Sequence, residues 1–119
     1  MCSIFSLKAF EILLKLRVKN IKIPSGELTN LPLLKSINLK KGLKIFLSTG
    51  MSSWSEINAA LKILNNHKVI LMQCSSIYPC PPKEVGINII QELKTRYNTK
   101  VGFSDHTSKY AASICAAYL

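Results

Sequence analysis

Residues 69–76, with the sequence VILMQCSS, carry the clearest fold signal in the chain. Five residues without a charge predict a strand that is covered on both faces, as in parallel sheets, and a polar cluster follows directly. Residues 20–23 (NIKI), 43–48 (LKIFLS) and 101–103 (VGF) are predicted to be strands as well. A turn of small polar residues follows each of these four strands, and the turn marks the carboxyl end of the strand.

Helical patterns separate the strands, which indicates repeated βα units of a parallel sheet. The predicted helices cover residues 6–18, 30–38, 84–97 and 109–118, and a further helix begins at residue 53, where SWSE has the spacing of a capping box. No linker divides residues 1–119, so we expect one domain. A (β/α)₈ barrel needs eight strands and about 250 residues. The chain is therefore half of such a barrel, a small open sheet or a fragment.

The four strand ends carry the polar clusters PSGE, STG, CSS and SDH. In parallel α/β folds, ligands bind beyond the carboxyl ends of the strands. The same residue types are also ordinary turn and helix-capping residues, which is the alternative explanation. Because a Ser stands within a residue or two of all four strand ends, the pattern favours a shared polar site.

The composition is that of a folded, basic protein with 48% hydrophobic residues and a net charge of +10. No apolar run approaches the roughly 18 residues of a membrane helix. The Lys residues are dispersed along the chain, which argues against the alternative of a small nucleic-acid-binding protein and is compatible with a basic surface that attracts an anionic substrate. Four Cys without a C-x-x-C pair or a secretory leader predict a cytoplasmic protein with free thiols. Cys74 and Cys80 flank a turn, but one such pair is weak support for a metal site.

Single residues in these clusters leave alternatives open. Lys22, in an apolar strand, could extend to solvent at a sheet edge or bind a phosphate or carboxylate. His106 directly follows a strand and could flank a helix cap, act as an acid or base, or bind a metal. His67 precedes a strand and is predicted to be a surface residue at the opposite end of the sheet. Tyr78 begins a rigid turn, YPCPP, and either stiffens that loop or presents its phenol to a polar substrate.

Taken together, four segments resemble the sialic acid synthase family, the N-acetylneuraminate and related nonulosonate synthases. They are KIPSGE at 22–27, LSTGM at 47–51, QCSSIYP at 73–79 and VGFSDHT at 101–107. The resemblance implies about half of a TIM barrel, strands 4 to 7 with their helices. It implies a transferase that condenses phosphoenolpyruvate with N-acetylmannosamine or a related amino sugar to a nonulosonic acid and releases phosphate. A legionaminic or pseudaminic acid synthase is the alternative within the family.

The resemblance also implies roles for individual residues, although it assigns no catalytic acid or base. The positions that would bind phosphoenolpyruvate are Lys22, Ser25, Ser48, Ser76 and Ser104. Tyr78 falls at a position that contacts the amino sugar. His106 falls at one of two metal-ligand positions, the metal being a divalent ion and usually manganese. Ser76 stands where the family often has Asn, and Pro24 stands where Gly or Ala is common.

The same resemblance implies that parts of the family's protein are missing. Residues 2–5 (CSIF) line up with the end of the third barrel strand. The earlier strands, the eighth strand and a C-terminal antifreeze-like domain are then expected to be absent, together with an acidic residue for proton transfer and the second metal-ligand His. We therefore expect the 119-residue chain alone to be inactive, whether it is a gene remnant or a piece of a longer enzyme. Full-length members are expected to be homodimers.

Overall fold

The computed structural model describes residues 1–119 and shows five parallel strands joined by helices. In chain order the elements are β1 (Cys2–Ser3), α1 (Leu7–Lys15), β2 (Asn20–Ile23), α2 (Leu31–Asn38), β3 (Lys44–Ser48), α3 (Trp54–Ile63), β4 (Val69–Gln73), α4 (Ile89–Tyr97), β5 (Val101–Phe103) and α5 (Tyr110–Tyr118). Single turns of 3₁₀ helix, Ser25–Glu27 and Pro82–Glu84, lie in the loops after β2 and β4. The strand order in the sheet is β1-β2-β3-β4-β5. The predicted parallel α/β fold is confirmed.

The predicted element boundaries differ from the structure at three places. The helix predicted over residues 6–18 ends at Lys15, since Arg17 has a φ of 55°, outside the right-handed helical region. The strand pattern predicts four strands, and the structure adds β1 where the resemblance places the end of an earlier strand. The two residues of β1 are exposed and show no alternation that a pattern could detect. The helix predicted over residues 84–97 begins only at Ile89. Gly86 precedes it with a φ of 63°, a conformation that no residue of a right-handed helix adopts. The capping box that begins α3 forms as predicted, with Ser53 and Glu56 bonding each other's backbone N–H.

The hydrophobic core lies between one face of the sheet and helices α1–α4. Alternate strand residues on this face are buried, namely Ile21, Ile23, Ile45, Leu47, Val69 and Leu71. The other face, which we call the open face, carries Lys22, Phe46, Ile70 and Met72, all partly exposed. We expected both faces of the sheet to be covered, but in residues 1–119 the helices cover only one face.

The sheet curls so that its open face is concave. Strands β2 and β5 are separated by two other strands, so a flat sheet would hold them roughly 14 Å apart. The Nζ of Lys22 nevertheless donates a hydrogen bond to the Oγ of Ser104, the residue after β5, at 2.8 Å. A Lys and a Ser side chain together do not span the flat distance. The carboxyl ends of the strands must therefore bend toward one another.

Three other expectations can be compared with the structure. All four Cys are unpaired, as predicted. No helix has the length and hydropathy to cross a bilayer, and the longest one has ten residues. His67 lies at the amino end of β4 as predicted, but it is half-buried and its Nε2 lies 3.2 Å from the carbonyl oxygen of Ile37.

Candidate functional site

The polar clusters at the carboxyl ends of β2, β4 and β5 meet at one end of the open face. Lys22 bonds Ser104 across the sheet, and the Oγ atoms of Ser25 and Ser76 are 3.1 Å apart. These contacts join positions 82 and 51 residues apart in the sequence. The curl of the sheet brings the predicted site residues together because the carboxyl ends of parallel strands share one edge.

Lys22 is a partly buried ammonium group with a hydroxyl as its hydrogen-bond partner. It takes part in none of the three ion pairs of the chain. Lys22 does not lie at a sheet edge, because β2 is paired on both sides, with β1 and β3. An ammonium group with no carboxylate partner, bonded only to a hydroxyl, suits an anion.

Ser25 and Ser76 form a hydroxyl pair that lies against the thiol of Cys74. The Sγ of Cys74 is 3.5 Å from the Oγ of Ser25, and Cys74 is buried. The backbone of Gly50 packs closely on this pair, since a Cβ there would lie 2.7 Å from the Oγ of Ser76 and 2.8 Å from the Sγ of Cys74. Only a glycine allows the loops after β3 and β4 to approach this far. The Sγ of Cys80 bonds the carbonyl of Pro81 instead, and no three His, Cys, Asp or Glu residues group as a metal cluster.

Ser48 ends β3 on the open face and is only 1% exposed. Its register partner on β4 is Met72, which belongs to the same face. The Oγ of Ser48 is buried without a hydrogen-bond partner. Buried hydroxyls are rarely left without a partner because the loss costs about 1–3 kcal/mol. This orphaned hydroxyl at the edge of the cluster is therefore a group that a ligand could satisfy.

His106 lies on the loop after β5, and its ring is held on two sides. Its Nδ1 lies 2.7 Å from the carbonyl oxygen of Ser75, so Nδ1 carries the proton and donates it. The ring of Tyr78 stacks on it with centroids 4.3 Å apart. The backbone adds a further contact, because the N–H of Cys80 bonds the carbonyl of His106 at 2.8 Å. In the neutral imidazole this leaves Nε2 as the nitrogen that can bind a metal or accept a proton.

Asp105 is a carboxylate that orders the loop beside His106. Hydrogen bonds from the Ser113 hydroxyl, at 2.6 Å, and from the Thr107 backbone N–H, at 2.8 Å, lower the pKa of Asp105 below its ordinary value. The hydrogen bond from Ser113 has the largest effect, and the charge of His106 adds to it. Asp105 therefore joins the start of α5 to the loop that carries His106.

Residue patterns did not single out several groups that support this site. Ser75 holds His106 through its carbonyl, and its hydroxyl bonds the carbonyls of Glu84 and Val85. Gln73 also donates to the carbonyl of Val85, at 3.1 Å. Gln73 and Ser75 lie inside the segment QCSSIYP. Their place in this segment is the sequence signal that could have identified them. Their partners, 9 to 12 residues away, are set by the loop conformation.

Comparisons with known proteins agree on one family. The family model described as the NeuB family matches residues 1–119. N,N'-diacetyllegionaminic acid synthase of Campylobacter jejuni is 42% identical over 120 residues, which cover 97% of this chain and 36% of that protein. N-acetylneuraminate-9-phosphate synthase of Homo sapiens is 32% identical over 114 residues, 93% of this chain and 32% of that protein. The chain thus spans about a third of the length of these relatives.

A solved structure shares the fold closely. The crystal structure of N-acetylneuraminic acid synthetase from Leptospira borgpetersenii, in complex with citrate, superimposes with a TM-score of 0.90 at 31% identity. The superposition covers 96% of this chain and 40% of that chain. The curled five-stranded sheet therefore has the same fold as part of that larger protein.

Proposed function

The chain belongs to the NeuB family, and on that premise we propose that it forms part of a sialic acid synthase or related nonulosonate synthase. This enzyme condenses phosphoenolpyruvate with N-acetylmannosamine or a related amino sugar and releases phosphate. The observation that carries the proposal is the contact of Lys22 with Ser104 beside the hydroxyl pair of Ser25 and Ser76. It supplies one cation and several donors where a phosphorylated enol acid would bind.

The anionic substrate matches the chemistry of this cluster. Phosphoenolpyruvate carries a carboxylate and a phosphate, and both need charge-assisted hydrogen bonds when they leave water. Lys22 would neutralise part of this charge by exchanging its bond to Ser104 for a substrate oxygen. The hydroxyls of Ser25 and Ser76 would turn from each other to the ligand, and the orphaned hydroxyl of Ser48 would gain an acceptor.

His106 fits the role of one ligand to a divalent metal such as Mn²⁺. Its Nδ1 proton is held by the carbonyl of Ser75, so Nε2 is free to coordinate, and this carbonyl–His arrangement is common at metal sites. The metal, when bound, would polarise the carbonyl oxygen of the sugar as a Lewis acid. His106 is the single such ligand that the cluster provides, and the other ligands would be substrate and water oxygens and a second His beyond this chain.

Tyr78 would contact the amino sugar. It is 71% exposed at the rim of the site, although its ring stacks on His106. A phenol in this position can hydrogen-bond a sugar hydroxyl while its ring packs on the sugar's apolar face. Tyr78 would thereby hold the sugar close to the side chain of His106.

The specific amino sugar has a second candidate. Identity is higher to the N,N'-diacetyllegionaminic acid synthase, at 42%, than to the N-acetylneuraminate-9-phosphate synthase, at 32%. The first identity makes a legionaminic acid synthase the second candidate beside an N-acetylneuraminate synthase. A product assay with both amino sugars would decide between the two.

We further infer that β1–β5 are five adjacent strands of a closed TIM barrel in the complete enzyme. The sequential strand order, the concave open face and the two unpaired sheet edges support this inference. Further strands would pair with β1 and β5 and cover the open face. The complete enzyme would act in the cytoplasm as a homodimer, without nucleic-acid or membrane partners.

The function is tested by exchanging the matching third of the Campylobacter jejuni enzyme for residues 1–119 of this chain. We expect the chimera to release phosphate from phosphoenolpyruvate in the presence of amino sugar and Mn²⁺, and Lys22→Gln to abolish this release. Lys8→Gln, on the exposed face of α1, is the matched control and should leave the rate unchanged. A folded chimera that is inactive, or equally active with Lys22→Gln, would contradict the proposal. The isolated chain should release no phosphate.

A further inference from the structure

Two side chains at the carboxyl end of β4 donate hydrogen bonds to one backbone carbonyl. The Nε2 of Gln73 lies 3.1 Å from the carbonyl oxygen of Val85, and the Oγ of Ser75 lies 3.2 Å from the same oxygen. The single proton of this hydroxyl is shared with the carbonyl oxygen of Glu84. We call Gln73, Ser75 and the Val85 carbonyl the Val85 clasp. None of these residues is among the proposed ligands of the substrate or the metal.

The clasp is buried in the fold, and packing alone does not call for it. Gln73 is 6% exposed and belongs to the helix-covered face of β4, where the alternate residues Val69 and Leu71 are apolar. A Cβ at Gly86 would lie 2.9 Å from the Nε2 of Gln73, and Gly86 has a φ of 63°, so only glycine suits this position. A buried amide gains little net stability from its hydrogen bond, because it gives up bonds to water. The amide, its acceptor and the glycine beside it therefore indicate a requirement for a defined loop geometry.

The clasp closes the segment 75–85 into a ring. Ser75 begins this segment and Val85 ends it, so the chain leaves β4 and returns to the same point after ten residues. Compact loops of this length are ordered by contacts of their own side chains, and joining the two ends removes much of their conformational freedom. Val85 is itself 5% exposed, which limits the access of water to the clasp. The path of the segment therefore depends on the clasp.

The closed segment contacts His106 at three points. Its first residue, Ser75, accepts a hydrogen bond from Nδ1 through its carbonyl, at 2.7 Å. The ring of Tyr78 stacks on the imidazole at a centroid distance of 4.3 Å, and the backbone N–H of Cys80 donates to the carbonyl of His106 at 2.8 Å. Ser75 links the clasp to the imidazole directly, because its hydroxyl bonds Val85 while its carbonyl bonds His106.

We propose that Gln73 and Ser75 are positioning residues that keep the proton of His106 on Nδ1 and hold Tyr78 against the imidazole. This inference rests on the proposed function, in which Nε2 of His106 binds a divalent metal and Tyr78 contacts the amino sugar. A carbonyl can only accept, so a well-placed Ser75 carbonyl selects the Nδ1–H tautomer. When that carbonyl moves away, the proton can sit on either nitrogen, and Nε2 is available to a metal in only part of the molecules. Loss of the clasp should therefore weaken both metal and sugar binding.

The first readout is the tautomer of His106, which requires no metal, substrate or activity. The chimera is prepared with isotope-labelled histidine, and its ring-nitrogen NMR signals are recorded without metal at about pH 8, where the ordinary imidazole is neutral. His106→Gln identifies the signals of this residue. The unmodified chimera and Ser75→Thr, which keeps the hydroxyl, should show the Nδ1–H tautomer. Ser75→Ala and Gln73→Leu should each move about a third or more of the molecules to the Nε2–H tautomer.

The second readout is ligand binding by the same chimera. Ser75→Ala and Gln73→Leu should each weaken Mn²⁺ binding about tenfold. Each should raise the KM for the amino sugar about fivefold while the KM for phosphoenolpyruvate changes less than about twofold, because the clasp does not contact the ammonium group of Lys22. Ser52→Ala is the matched control, since the Ser52 hydroxyl also donates to a loop carbonyl, that of Gly50, and its loss should change neither readout.

The outcomes separate this inference from the proposed function. A folded chimera without Mn²⁺ binding or phosphate release would contradict the proposed function, and the tautomer would still report on the clasp. The Nε2–H tautomer in the unmodified chimera would overturn the inference. It would also be overturned if Ser75→Ala and Gln73→Leu kept the tautomer and the metal affinity, or if Ser75→Thr lost them as Ser75→Ala does. Equal rises of the two KM values would indicate a general loss of structure and overturn it as well.

Discussion

The buried hydroxyl of Ser48 allows a prediction in which stability and binding change in opposite directions. The Oγ of Ser48 has no hydrogen-bond partner, and the residue is 1% exposed. An unsatisfied buried polar group costs about 1–3 kcal/mol of the free energy of unfolding. Ser48→Ala removes that group at nearly constant volume, so the ligand-free chain should become more stable by about 1–2 kcal/mol.

This gain can be measured by thermal unfolding. For a domain of this size, about 1 kcal/mol shifts the Tm by roughly 4 °C, so Ser48→Ala should raise it by about 4–8 °C. Ser53→Ala is the matched control of opposite sign. The Ser53 hydroxyl caps α3 and accepts from the Glu56 N–H, and its loss should cost about 1 kcal/mol.

Binding of phosphoenolpyruvate to the chimeric enzyme completes the test. If the Ser48 hydroxyl is kept free for the substrate, Ser48→Ala should weaken binding about fivefold to tenfold while the protein becomes more stable. A fall in Tm would show that the hydroxyl has a partner in the free protein and would refute the reasoning. A rise in Tm with unchanged affinity would show that Ser48 does not bind the substrate. Its unpaired hydroxyl would then only lower the stability of the protein.

Three further predictions follow from the same contacts. Gly50→Ala should lower the free energy of unfolding by about 1–3 kcal/mol, because its Cβ would lie 2.7 Å from the Oγ of Ser76; Gly26→Ala, where a Cβ meets nothing within 4 Å, is the control, and equal losses would contradict the steric argument. Because its pKa is lowered on folding, Asp105 stabilises the protein above the ordinary Asp pKa and loses this effect as the pH falls through the folded value. The Tm difference between wild type and Asp105→Asn should therefore shrink as the pH falls from about 5 to below the ordinary Asp pKa of about 3.9, and a constant difference would contradict it. His106→Gln should lower the affinity of the chimera for Mn²⁺ at least tenfold, and unchanged affinity would exclude His106 as a ligand.

Local residue patterns predicted most of the secondary structure because each signal lies within a few neighbouring residues. The apolar strand at Val69–Gln73 and the capping box before α3 both form as expected. The delayed start of α4 depends on the conformation of Gly86, which its residue type permits but does not require. The strand β1 depends on pairing with β2, and its own two residues carry no pattern.

The candidate site was predictable as a set of strand ends but not as a set of contacts. Polar clusters after successive parallel strands must share one edge, so their proximity follows from the topology. The bond from Lys22 to Ser104 needs the curl of the sheet, and curl arises from the packing of all strands and helices together. The lack of a hydrogen-bond partner for the Ser48 hydroxyl likewise depends on which polar groups the surrounding loops place near it, and local sequence does not determine this.

The sequential strand order has a consequence for how the protein is made. Each strand pairs with the strand that the ribosome released just before it, as Ile45 does with Ile21 and Val69 with Ile45. Among β1–β5 each strand pairs with its neighbour in the sequence, so these contacts have short sequence separations and the entropic cost of each loop closure is modest. At a synthesis rate of about 5–20 residues per second, a new βα unit emerges within seconds and docks on the preceding one. Folding can thus advance in the direction of translation, with a fresh sheet edge exposed only until the next strand arrives.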